Sequence, residues 1–140
     1  MREIKFRGKH KNPYGDKWVY GYYALEDGEH VIIMPHSTSY EKALKENRPI
    51  PSISVNHTID INTLGQYTGL KDKNGKEIYE GDILREYSNE INDWIISYEY
   101  GTFIGTCNNI CEDLYELIDL EIIGNIYDNP NLLEKGKEDE

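Results

Sequence analysis

The chain has 140 residues, 38% of them apolar, and a net charge of −11. No apolar run approaches the ~20 residues of a membrane-spanning helix, and the length suits one ordinary domain or two very small ones. The basic opening MREIKFRGKHKNPYG lacks the apolar stretch and cleavage site of a secretory signal, and two cysteines are too few for a disulfide framework, so the expected compartment is the cytoplasm.

In chain order, Glu3–Gly8 alternates Ile4 and Phe6 with charged residues, the period-2 pattern of a half-buried strand. Asn12, Pro13 and Gly15 mark a loop. Lys17–Leu25 is read as a strand interrupted at Gly21, where a bulge or a close backbone approach is expected. Glu26–Gly28 turns the chain into the β-branched run His30–Met34, completing an N-terminal β meander. Ser37 or Ser39 caps a short helix over Tyr40–Glu46, which Pro49 and Pro51 forbid from continuing. Residues 53–62 return to strand character through Ile53, Val55, Ile59 and Ile61.

The clearest local signal is GQYTGLKDKNGKEIYEGDIL, from Gly65 to Leu84. Gln66–Leu70 is extended, and Asp72-Lys73-Asn74-Gly75 supplies a side-chain acceptor and positive-φ residues at Asn74 and Gly75 for a tight reversal. Lys76–Tyr79 is the returning strand. Gly81-Asp82 makes a second turn into a strand at Ile83–Tyr87, an arrangement common at the start of small SH3-like barrels. Trp94–Tyr100 and Thr102–Gly105 form a further pair about Gly101. In Asn109–Asp119 the spacing of Ile110, Leu114, Leu117 and Ile118 predicts a helix of two to three turns capped by Asn108 or Asn109. Leu120–Tyr127 is the last strand, Asn129-Pro130 permits one closing helical turn through Leu132 and Leu133, and the end of the chain is a solvated acidic tail.

Charge is unevenly distributed. Residues 1–20 carry six basic side chains (Arg2, Lys5, Arg7, Lys9, Lys11, Lys17) against Glu3 and Asp16. Residues 86–134 contain no Lys or Arg but eleven acids. Such polarity suits contact between the basic strand of one copy and the acidic surface of another, or neutralisation within one subunit. Twelve tyrosines favour half-buried strands and interfaces.

Candidate sites are weak. Cys107 and Cys111 form one imperfect C-x3-C pair, and His10, His30, His36 and His57 are scattered, short of the four convergent ligands of a structural zinc. Asp72, Asn74 and Gly75 superficially suggest a calcium loop, but the glycine arrives two positions early and turn chemistry accounts for all three. Glu77, Glu80 and Asp82 read as exposed turn carboxylates rather than an acid/base set. Ser37 beside His36 is no triad, and there is no nucleophile elbow, GxGxxG or Walker-type loop. Phe6, Tyr14 and Trp18 among the N-terminal cations suggest nucleic-acid contact, but the acidity downstream argues against it. No catalytic, cofactor-binding or metal-binding residue is therefore singled out, and no cofactor is expected.

At GQYTGLKDKNGKEIYEGDIL, IIGNIYDNPNLL (residues 122–133) and the opening MREIKFRGK, the chain resembles the YopX-type proteins of bacteriophages and prophages. The matches occur in the expected order and span nearly the whole length; Asn131 stands where an acidic residue is usual. The resemblance implies a mostly β protein with an SH3-type barrel in its C-terminal part, assembled as a homo-oligomer; it supplies no catalytic residues to carry over. The expected fold is mainly β with minor helix: an N-terminal β subdomain with a proline-bearing connector (1–60), an SH3-like β-barrel (61–135) and an acidic tail (136–140). The expected function is that of a non-enzymatic, self-assembling phage accessory protein, its assembly lost on removal of residues 1–9. The alternatives are an acidic inhibitor or adaptor of host nucleic-acid-binding machinery and, less well supported, a hydrolase of unrecognised type.

Overall fold

The computed structural model describes residues 3–11, 17–35, 45–47 and 54–133. Among them the protein is mostly β, with two antiparallel sheets, one of them partly ring-like. The chain divides into two compact units, Ile4–Leu64 and a second that begins at Gly65.

In the first unit, β1 (Phe6–His10), β2 (Trp18–Glu26), β3 (Glu29–Pro35) and the start of β4 (Ser54–Lys71) pair in sequence. β1 also pairs with β4, so the four strands close on themselves. Lys11 N–H donates to the Thr58 carbonyl at 2.9 Å and Lys9 N–H to Thr63 Oγ1 at 2.8 Å along that seam. Closure removes the exposed edges of a meander, an arrangement the sequence pattern alone did not specify. Among the described residues its core joins buried Val19, Ile32 and Ile59, with Phe6, Tyr23 and Leu64 packed against them. Gly21 makes the expected close approach, since a Cβ there would lie 2.3 Å from the carbonyl oxygen of Ile33.

β4 corrects the expectation of separate strands at 53–62 and 66–70. It is one element of 18 residues that belongs to both units. Alternation fails at Ile61, which is exposed, where Asp60 Oδ1 accepts from Asn62 N–H and Thr63 Oγ1 donates to the Asp60 carbonyl. The expected boundary near residue 60 and the division between Leu64 and Gly65 both fall inside this strand. Most of the helix expected over Tyr40–Glu46 lies outside the described residues, as do Asn12, Pro13, Gly15, Pro49, Pro51 and the acidic tail.

In the second unit, the end of β4 pairs with β5 (Glu77–Tyr79) through the hairpin centred on Asp72–Gly75. A second sheet has the order β10-β6-β7-β8-β9, with β6 Asp82–Tyr87, β7 Ile91–Glu99, β8 Thr102–Cys107, β9 Ile110–Asp113 and β10 Glu121–Asn125. Its core joins Ile78, Leu84, Trp94, Ile96, Phe103, Cys107, Leu114, Leu117 and Ile122. The helix expected over Asn109–Asp119 is corrected: Ile110–Asp113 is a strand and only Leu114–Leu117 is helical, a 3-10 turn capped by Asp113. The apolar spacing was real, because Leu114 and Leu117 are buried, but it belongs to a turn lying on β8, where Gly105 leaves room for the Leu117 side chain. The closing helical turn is present at residues 131–133.

Candidate functional site

Alternation along β6, β7 and β8 sends Leu84, Trp94 and Ile96 into the core, while Arg85, Asp93 and Ile95 point to the other face of the sheet. Register places Arg85 opposite Asp93, Tyr87 opposite Ile91 and Ile95 opposite Thr106. Arg85, Ile91, Asp93, Ile95 and Thr106, with Leu132 and Leu133 of the closing turn, line a cleft of about 440 Å³.

Polar chemistry in the cleft centres on one ion pair. Arg85 Nε donates to Asp93 Oδ1 at 2.8 Å and Nη2 to Oδ2 at 2.9 Å, a bidentate fork at a site where both side chains are about one-fifth exposed. These hydrogen bonds raise the guanidinium pKa further, against the opposing effect of burial. Asn92 at the lip donates to Glu86 Oε1 at 3.3 Å. The Cys107 thiol is held in its protonated form because burial, reinforced by the carboxylates of Asp93 and Glu86, outweighs the lowering effect of a hydrogen bond from the Asp93 backbone. A protonated thiol is a poor nucleophile and a poor metal ligand. The cleft therefore presents an internally neutralised ion pair beside apolar walls.

The two cysteines do not converge. Cys107 pairs with Ile110 and Cys111 with Thr106 across β8 and β9, so strand alternation turns them to opposite faces of the sheet. Cys107 is buried, whereas Cys111 is exposed with its Sγ 3.6 Å from Thr106 Oγ1. His10 and His57 approach with ring centroids 4.9 Å apart, and His30 Nδ1 lies 2.6 Å from the Tyr23 hydroxyl. His36, Ser37 and Tyr14 lie outside the described residues. Among those described, no group of three or more His, Cys, Asp or Glu side chains is placed to hold a metal ion.

The turn carboxylates differ from the exposed set that sequence suggested. Asp82 is 2% exposed and accepts from Tyr79 N–H at 2.8 Å. Asp72 is also buried: its Oδ1 accepts from the backbone N–H groups of Asn74 and Lys76, and its Oδ2 from that of Ile122. N–H donors aimed at both oxygens occupy the positions a calcium ion would need. Only Gly75 of this turn has positive φ, at 81°, with its N–H donating to the Asp72 carbonyl at 3.0 Å; Asn74 does not share that conformation.

The basic N-terminal strand is likewise partly committed. Phe6 packs on the first unit's core, while the Arg7 guanidinium sits 4.6 Å from the Trp18 ring centroid and Lys9 Nζ 5.6 Å from it. On the same side of β2, Tyr20 and Tyr22 are 45% and 57% exposed. Sequence reading did not single out Arg85. The available signal was that Arg85 and Asp93 stand equally far from the Ser88–Glu90 turn, but using it requires knowing the register.

The family model described as YopX protein matches residues 5–134. Among solved structures, the crystal structure of protein EF1440 from Enterococcus faecalis is similar, with 24% sequence identity and a TM-score of 0.58 over 96% of this chain and 100% of that one. No match is found among curated proteins.

Proposed function

The chain belongs to the YopX family, and from that premise we propose that it is a self-assembling phage or prophage accessory protein that works through protein–protein contacts in the bacterial cytoplasm. Its second unit is read here as an SH3-like barrel. The observation that carries the proposal is the exposed pair Tyr20 and Tyr22. Aromatic rings gain most when removed from water, and two on one side of a strand form a contact row. A non-enzymatic reading agrees with a cleft whose ion pair is self-neutralised and whose thiol stays protonated.

Multi-angle light scattering at high protein concentration and low salt tests this reading. The expected mass is a multiple of the 16.3 kDa chain; a constant single-chain mass overturns it. Removing residues 1–9 is no longer a suitable test, because it deletes most of β1 and opens the ring. An acidic contact with a host nucleic-acid-binding protein is the second reading, favoured by the exposed Glu112, Asp113, Glu116 and Asp119. A host-lysate pull-down that recovers no such protein would count against it.

A further inference from the structure

Asn74 is the only asparagine of the chain that is followed by glycine. The order matters chemically. An asparagine Cγ lies within reach of the next residue's backbone nitrogen, and a glycine there has no Cβ to shield that nitrogen. Both residues are exposed at the tip of the β4–β5 hairpin, and a Cβ built at Gly75 would meet no atom within 4 Å. The folded turn nevertheless holds each reacting group. Gly75 N–H donates to the Asp72 carbonyl at 3.0 Å, Asn74 N–H to Asp72 Oδ1 at 2.9 Å, and Asn74 Nδ2 to Glu121 Oε1 at 3.3 Å. Two of these bonds end on Asp72, which is itself buried and tied through Oδ2 to the Ile122 N–H of β10 at 3.0 Å.

We propose that Asn74 is a site of spontaneous deamidation and that the Asp72 anchor sets its rate. When the turn opens, the Gly75 nitrogen gives up its proton to solvent and attacks Asn74 Cγ. The new N–Cγ bond closes a succinimide ring as the Cγ–Nδ2 bond breaks, and Nδ2 leaves as ammonia. Water then adds to either ring carbonyl, giving aspartate or isoaspartate at position 74. Opening a solvent-exposed turn is a local event, cheaper than unfolding the sheet. The two products differ in consequence. Aspartate keeps the backbone and replaces the amide donor that faces Glu121 by a like charge. Isoaspartate puts an extra main-chain atom between the N–H groups of Asn74 and Lys76, both of which Asp72 Oδ1 accepts at 2.9 Å, so Asp72 cannot hold the two together. Its remaining side-chain bond, to Ile122, then loses support, and a change at the hairpin tip reaches β10.

Ageing the purified protein in warm, mildly alkaline buffer tests this. Mass mapping follows the peptide that contains Asn74, with its aspartate and isoaspartate forms separated by chromatography and told apart by fragmentation. The folded parent, the parent unfolded in urea and Asp72→Asn are compared. Conversion at Asn74 is expected in all three, severalfold slower in the folded parent than in the other two. A folded parent with no conversion at Asn74 by the time the unfolded chain has reacted overturns the site. Equal rates in the parent and Asp72→Asn overturn the role of the anchor. If Asp72→Asn does not fold, the parent in urea below its unfolding transition replaces it. Conversion that rises before near-UV circular dichroism is lost then supports the anchor, and conversion that waits for global unfolding overturns it. Amide exchange reads the consequence: the purified isoaspartate form is expected to exchange faster than the parent at β5 and β10, while Asn74→Asp exchanges like the parent. An isoaspartate form no faster than Asn74→Asp overturns the backbone route to β10.

Discussion

A carboxylate that accepts three backbone N–H bonds acts as an anchor, and Asp72 is such a residue. Burial pushes its carboxyl upward, but the N–H groups of Ile122, Lys76 and Asn74 outweigh that effect and hold it below the usual carboxylate value. A depressed folded-state pKa gives stability that is present above the unfolded value and lost as pH falls through the folded one. Asp72→Asn should therefore cost about 2 kcal/mol at neutral pH. In urea titrations, the gap between parent and variant should narrow below about pH 4. His57 follows the same sign by another route: burial first, then His10 and Lys17, keep its imidazole below the ordinary histidine value. The folded protein resists protonating it, so stability should fall as pH drops below about 6.5, and thermal melts at pH 7.5 and 5.5 should show a smaller difference in His57→Gln.

At the scale of elements, glycines that look alike in sequence have different roles. Gly75 needs its positive φ but has open space around its Cα, so Gly75→Ala should cost only about 1 kcal/mol, from backbone conformation. Gly21 faces the carbonyl oxygen of Ile33, and Gly21→Ala should cost about 2–3 kcal/mol because backbone must move. Denaturant melts of the two variants, side by side, check that order. The Arg85–Asp93 fork joins β6 to β7, and removing one member strands the other's charge. Arg85→Met is expected to destabilise by about 2–3 kcal/mol, less than a fully buried pair because the site is partly wet. Adding Asp93→Leu should restore part of that loss, as a double-mutant cycle would show.

For the whole molecule, the two units differ in the core they bury. Among the described residues, the core cluster of the Ile4–Leu64 unit joins three buried apolar residues and three partly buried ones, against nine and three in the unit beginning at Gly65. Amide exchange should therefore be faster throughout the first unit's strands, with β10 and β6–β8 exchanging last. If oppositely charged surfaces draw copies together, raising salt from 50 mM to 1 M should lower the particle mass in light scattering, since screening shortens the reach of those charges.

The Gly65–Leu84 segment and the strands around it were legible from sequence because turns and alternation are local. Asp72 supplies an acceptor two and four residues before its donors, Gly75 supplies positive φ, and period-2 burial marks the strands whatever lies beyond them. The family resemblance was legible for the same reason, since its motifs are turns and short strands. Ring closure of β1 on β4, the conversion of Asn109–Asp119 into a strand and a 3-10 turn, the third N–H donor to Asp72, from Ile122, and the Arg85–Asp93 cleft were not. Each depends on which strand becomes whose neighbour. That choice is made by the packing of side chains far apart in the chain, where a short apolar run such as Ile110 to Ile118 can satisfy helix or strand until a neighbour like Gly105 decides it.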